Sequence, residues 1–127
     1  MSKNQDSTKP VVAVFGAAGY TGRFVIAELL SRKMKPVAIA RNSKALSGAN
    51  FPQSEVSLRQ AVVDDAASLD RALHDAQVVI NCAGPFVDTA DAVASAALRA
   101  GIHYVDVAAE QVSVGQTLDK FDEPARK

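Results

Sequence analysis

A single cysteine, Cys82, is all the sequence offers, so no internal disulfide can form and cysteine-rich zinc sites are excluded. Long apolar runs are missing as well. The longest stretches without Asp, Glu, Lys or Arg run from Pro10 to Gly22 and from Ala76 to Val87, short of the roughly 18 to 20 apolar residues of a membrane span. No transmembrane helix is expected. Residues Met1 to Pro10 are polar and hold no apolar signal core, so secretion is not expected and a cytoplasmic location is. Net charge is absent too. Fourteen Lys and Arg balance fourteen Asp and Glu, which argues against a nucleic-acid partner held by a general basic surface. What is present is ordinary for a packed globular chain: 48% hydrophobic and 22% charged residues over 127 positions. That is room for one domain and too little for two.

The balanced charge is unevenly placed. Residues 1–44 carry Lys3, Lys9, Arg23, Arg32, Lys33, Lys35, Arg41 and Lys44 against Asp6 and Glu28 alone. The amino-terminal third is therefore positive and suited to a local anion, such as a phosphate.

Residues 1–9 read as a flexible tail, polar and without periodicity. From Pro10 the pattern becomes regular. Val11 to Phe15 is a short β-branched run of the kind expected of a strand buried on both faces. A helix follows from Tyr20 to Lys33, with Val25, Ile26, Leu29 and Leu30 on one stripe, and Pro36 is expected to stop it. Val37 to Ala40 is a second strand, and Arg41 to Ser54 reads as a polar loop. Gln60 to Val63 is expected as the third strand, followed by an acidic turn at Asp64 and Asp65 and a short helix capped by Ser68. Gln77 to Cys82 is the fourth strand. The next helix, capped by Asp88 or Thr89, presents Val87, Ala90, Ala94, Ala97 and Gly101 as a small-residue face. Ile102 to Val107 is the fifth strand, and a last helical stretch begins near Gln111. Alternating strands and helices imply an α/β fold: a doubly wound, mainly parallel sheet of about five strands with helices on both faces.

Chemistry gathers at the carboxyl ends of these strands. Gly16-Ala17-Ala18-Gly19-Tyr20-Thr21-Gly22 joins the first strand to the first helix with the spacing G-x-x-G-x-x-G, one residue displaced from the dinucleotide fingerprint. Glycines let the backbone turn sharply and approach a pyrophosphate, while the free amides of the helix start point at the anion, and Ala18, Gly19, Tyr20 and Thr21 are candidate residues of this seat. At the end of the second strand an NAD site places Asp or Glu about 20 residues beyond the glycines. Here the chain has Arg41, Asn42, Ser43 and Lys44. No acid is available, so the site suits a 2′-phosphate and NADP(H) over NAD(H), with Arg41 as its main ligand and Arg23 assisting.

Asp64 is either an acceptor for the adenine amino group or a solvated turn residue. Asn81, Cys82, Ala83 and Gly84 follow the fourth strand, where small residues permit close approach to the nicotinamide-side ribose. Cys82 has no base beside it in the sequence and reads as a small buried hydrophobe. His74 and His103 have no pairing that suits a metal, so no metal site is expected. Asp106 and Glu110 either line the cleft or cap the final helix. Complete catalytic sets are missing: no tyrosine stands four residues before a lysine, and neither a G-x-x-x-x-G-K-[ST] phosphate loop nor H-E-x-x-H occurs.

Three ordered motifs, Gly16 to Arg23, Asn81 to Phe86, and Tyr104 to Glu110, resemble the amino-terminal domain of saccharopine-dehydrogenase-like oxidoreductases, the group that includes the trans-acting enoyl reductases. Ala109 departs from the pattern, since the family usually has glycine before the glutamate. The resemblance implies that residues 10–127 are an NADP(H)-binding Rossmann domain, and that a second α/β domain completes the active site in longer members. The expected function is hydride transfer to a carbonyl, imine or enoyl substrate in the full-length protein, with the isolated fragment inactive. The alternative is a non-catalytic NADP(H)-sensing module. A homodimer formed through surface that a second domain would cover is the remaining partner expectation.

Overall fold

The computed structural model describes residues 9–52, 54–83 and 86–106, with the backbone alone for 86–88. Along the chain run β1 (Val11–Phe15), α1 (Tyr20–Ser31), β2 (Lys35–Ala40), α2 (Ser43–Gly48), β3 (Ser57–Gln60), α3 (Ala66–Ala72), β4 (Val78–Asn81), α4 (Phe86–Ala100) and β5 (His103–Asp106). The five strands form one sheet in the order β3-β2-β1-β4-β5, and every pairing is parallel. This is the doubly wound arrangement expected from the sequence. The expected final helix from Gln111 lies outside the described residues.

Strand alternation builds two cores. In β1, Ala13 and Phe15 face a cluster with Val37, Ile39, Val79, Leu69, Leu73 and Val93, against α3 and α4. Val12 and Val14 face the other side, with Ala38, Ile26, Leu29 and Leu46 from α1 and α2. A strand apolar at every position is what helices on both faces demand.

Several expectations are corrected. α1 stops before Pro36, because Lys33 adopts a left-handed conformation (φ 62°). The Met34 amide then donates to the Leu29 carbonyl and the Lys33 amide to Leu30, a Schellman ending with lysine in the usual glycine place. Pro36 sits inside β2. Its missing amide harms nothing, because the Lys35 amide bonds β1 through Pro10 and the β3 pairing begins only at Val37. The polar loop after Arg41 contains α2, which is held by the Asn42 side chain accepting from the Lys44 amide and by buried Leu46.

β3 lies three residues earlier than Gln60 to Val63. As an edge strand it tolerates polar Ser57, Arg59 and Gln60, which hid it from a search for apolar runs. α3 is capped by Asp65, whose carboxylate accepts from the Ser68 amide; the Ser68 hydroxyl instead donates to the Asp65 carbonyl at 2.7 Å. Thr89 stands within the first turns of α4, which begins at Phe86. In the face expected for α4, Ala94 and Ala97 are buried together with Val93 and Ala96, whereas Ala90 is half-buried and Gly101 exposed. The Val87 and Asp88 side chains lie outside the described residues.

Candidate functional site

The sheet order reverses between β1 and β4. β1 sends its connection to β2 on one side, while β4 sends its own to β5 on the other, so the two crossovers part and leave a crevice at the strands' carboxyl ends. The turn from Gly16 to Gly19 lies on this crevice. Gly16 and Ala17 both donate their amides to the Ile39 carbonyl, at 2.8 and 3.0 Å, which ties the turn to the end of β2. Gly16 has φ +80°, and a Cβ there would stand 2.7 Å from both the Cα and the amide nitrogen of Ala83. Only glycine fits. The turn therefore rests directly on the backbone that follows β4.

The start of α1 is open to an anion. Gly19 is its N-cap and supplies no side-chain acceptor. The first turn's bonding begins with the Arg23 amide on the Gly19 carbonyl, so the amides of Tyr20, Thr21 and Gly22 have no acceptor among the described residues. Unfilled donors at the positive end of a 12-residue helix suit a pyrophosphate. Gly19, Tyr20, Thr21 and Arg23 are exposed, Ala18 is half-buried and Gly22 is buried. The residues present thus fit a dinucleotide phosphate.

Arg41 follows β2 immediately and is exposed, with its carbonyl held by the Gln60 side-chain amide at 3.0 Å. None of the ion pairs among the described residues involves it. Asn42 keeps its oxygen on the Lys44 amide at 2.8 Å. Asp64 is exposed, one residue ahead of the Asp65 cap.

At the end of β4, the Asn81 side chain is wholly buried. Its Nδ2 donates to Thr89 Oγ1 and Tyr104 Oη, both at 3.1 Å, and its Oδ1 accepts from the Ala83 amide at 3.0 Å. The polar atoms of the Asn81 side chain are thus committed within the protein. Cys82 is half-buried and packs on the α1 side of the sheet, where burial pushes its thiol up to about 12. It packs against the core as a small hydrophobe would, half-buried where the sequence predicts a buried side chain. Gly84 and Glu110 lie outside the described residues.

Asp106, expected in the cleft or at a helix cap, is only 2% exposed. Its Oδ2 accepts from the Tyr104 hydroxyl at 3.2 Å, and its Oδ1 has no hydrogen-bond partner among the described residues. Burial raises the Tyr104 phenol well above the ordinary tyrosine range; Asn81's donation opposes the rise and the Asp106 carboxyl adds to it. This buried polar set had one signal in the sequence, an asparagine ending an otherwise apolar strand. No metal-binding group of His, Cys, Asp and Glu occurs among the described residues.

Residues 12–127 match the family described as saccharopine dehydrogenase NADP binding domain. The chain belongs to that family. Its cofactor class is NADP(H), as the acid-free end of β2 led us to expect. Among saccharopine dehydrogenase-like oxidoreductases, one of Arabidopsis thaliana is 31% identical over 114 residues, covering 78% of this chain and 25% of the relative. The human protein is 28% identical over 117 residues, covering 78% and 27%. The chain thus spans about a quarter of the length of these relatives.

Solved structures share the fold. A triphenylmethane reductase from Citrobacter superposes with a TM-score of 0.71 at 22% identity, covering 91% of this chain and 45% of the reductase. An NADPH-dependent quinone oxidoreductase from Escherichia coli gives 0.67 at 24% identity, covering 91% and 43%. No helix among the described residues is long and apolar enough to cross a membrane.

Proposed function

We propose that this domain holds NADP(H) for hydride transfer to a carbonyl, imine or enoyl substrate, and that the substrate is bound by polypeptide corresponding to the additional length of the relatives. The carrying observation is the crevice itself. A glycine turn, the unfilled amides of α1 and the exposed Arg41 stand together at the carboxyl ends of β1 and β2. In this reading Gly16, Gly19 and Gly22 shape the pyrophosphate seat, and Tyr20 and Thr21 supply amides to it. Arg41, assisted by Arg23, pairs with the 2′-phosphate through planar, charge-assisted hydrogen bonds. When bound, the nicotinamide supplies or accepts the hydride. This chain's residues bind and orient it.

Support for Arg41 comes from what surrounds it. Its backbone is pinned by Gln60, its side chain is exposed, and the neighbouring Asn42 is committed to capping α2. Calorimetric titration with NADPH and NADH tests the role. Arg41→Ala is expected to cost about 1.5 to 3 kcal/mol of NADPH affinity and to leave NADH nearly unchanged. An equal loss for both cofactors refutes the assignment. The 127-residue chain alone is expected to turn over no substrate, because hydride transfer requires an acceptor held about 3 to 3.5 Å from the reacting carbon. Turnover by this chain at the full-length rate would overturn that placement of the active site.

A further inference from the structure

Ala83 is held by both of its peptide groups. Its amide donates to Asn81 Oδ1 at 3.0 Å, and its carbonyl accepts from the Thr89 hydroxyl at 3.0 Å. The first bond fixes the amide orientation of Asn81, because an N–H needs an oxygen opposite it. Nδ2 must then face Thr89 Oγ1 and Tyr104 Oη, and both of its hydrogens are used there. Each hydroxyl accepts from Asn81 and has one hydrogen left to give. Thr89 gives its hydrogen to Ala83, and Tyr104 gives its own to Asp106 Oδ2. The directions of all these bonds are mutually determined, from the buried carboxylate of β5 to the backbone after β4.

That backbone is also the surface on which the glycine turn lies, since the space a Gly16 Cβ would need is occupied by Ala83. We propose that the Asn81–Thr89–Tyr104–Asp106 network positions the cofactor seat: by gripping Ala83 it sets the height of the β4 end against Gly16. Asn81 and Thr89 are positioning residues in this account, acting through Ala83. The inference deepens the NADP(H) reading above and rests on it. Its effect falls on the pyrophosphate and nicotinamide half of the ligand, because Arg41 and the adenosine 2′-phosphate lie across β1 at the end of β2.

Thr89→Val tests this. It removes the hydroxyl at nearly constant volume and releases the Ala83 carbonyl, and Thr89→Ser restores the bond. The 127-residue wild type and both variants would be titrated with NADPH and with adenosine 2′-monophosphate, which lacks the pyrophosphate and the nicotinamide half, and their thermal midpoints recorded. Thr89→Val is expected to weaken NADPH about tenfold and the monophosphate less than about twofold, with Thr89→Ser within about threefold of wild type for NADPH. Equal weakening of both ligands, or a lower midpoint with unchanged NADPH affinity, overturns the positioning role. Wild type that binds neither ligand overturns the NADP(H) reading itself. If Thr89→Val does not fold, hydrogen exchange of the Ala83 amide in wild type decides. NADPH is expected to slow that exchange more than it slows exchange in α3, and an unchanged Ala83 rate refutes the proposal.

Discussion

Gly22→Ala adds one methyl group where the glycine turn packs on the start of α1. The new Cβ would stand 2.2 Å from the Gly16 carbonyl oxygen, 2.7 Å from Ala17 Cα and 2.9 Å from the Ala17 carbonyl carbon. All three are backbone atoms, so no side chain can swing aside. The glycine turn must lift off α1 by about 1 Å to restore ordinary contact. Overpacking of this kind costs up to about 3 kcal/mol, and the better helix propensity of alanine offsets at most about 1. The net loss is about 2 kcal/mol. At roughly 2.1 cal/mol/K of unfolding entropy per residue, a chain of this size loses roughly 7 °C in Tm. NADPH affinity, measured below the transition, should fall at least about tenfold, because the displaced turn misaligns the α1 amides. Gly48→Ala is the control: the same substitution near the end of α2 meets nothing within 4 Å and should be neutral or stabilise by up to about 1 kcal/mol. Scanning calorimetry and titration read both effects. A Gly22→Ala protein within about 2 °C of wild type and with unchanged affinity would refute the reasoning.

Cys82 should resist a disulfide reagent at pH 8 until denaturant exposes it, because its thiol is pushed up to about 12 by burial. Its folded pKa lies above the ordinary value of 9.0, so the stability contributed by the neutral thiol is intact below about pH 9 and is lost as pH climbs toward 12. The wild type should therefore lose more Tm across that window than Cys82→Ala does. Asp65→Ala, which strips the cap of α3, should cost about 1 kcal/mol in urea titration. Asp70→Asn breaks the exposed pair with Arg99 and should change stability by no more than about 1 kcal/mol, less in high salt.

The interior strands were legible because helices on both faces favour apolar residues on both sides, and β1 and the first three residues of β4 carry that mark as runs of Val, Ala, Ile and Phe. β3 was misplaced for the converse reason. At the sheet's edge a half-buried Arg59 donates to the Ala72 and His74 carbonyls and to Asp75, so the strand reads as polar while Val62 and Val63 beyond it read as sheet. α2 escaped notice because six residues give no periodicity to detect, and its evidence is one side-chain cap and one buried leucine. At the site, the glycines and Arg41 stood out because their spacing from the strand ends is local. The bond from Asn81 to Tyr104 did not, since it depends on β4 lying beside β5, which sets Asn81 opposite Asp106.

The pairing of β1 with β4 joins Val12 to Val78, whereas the other pairings join residues far closer in the chain, as Val11 to Lys35 does. Closing the longer loop costs about 0.9 kcal/mol more of chain entropy than closing the shorter one. Folding is accordingly expected to form β1-β2-β3 and β4-β5 as two sub-assemblies and to zip them together late. The seam between them is where Gly16 meets Ala83. A dinucleotide lying across it would bind only the joined form, so saturating NADPH should slow unfolding much more than it speeds refolding.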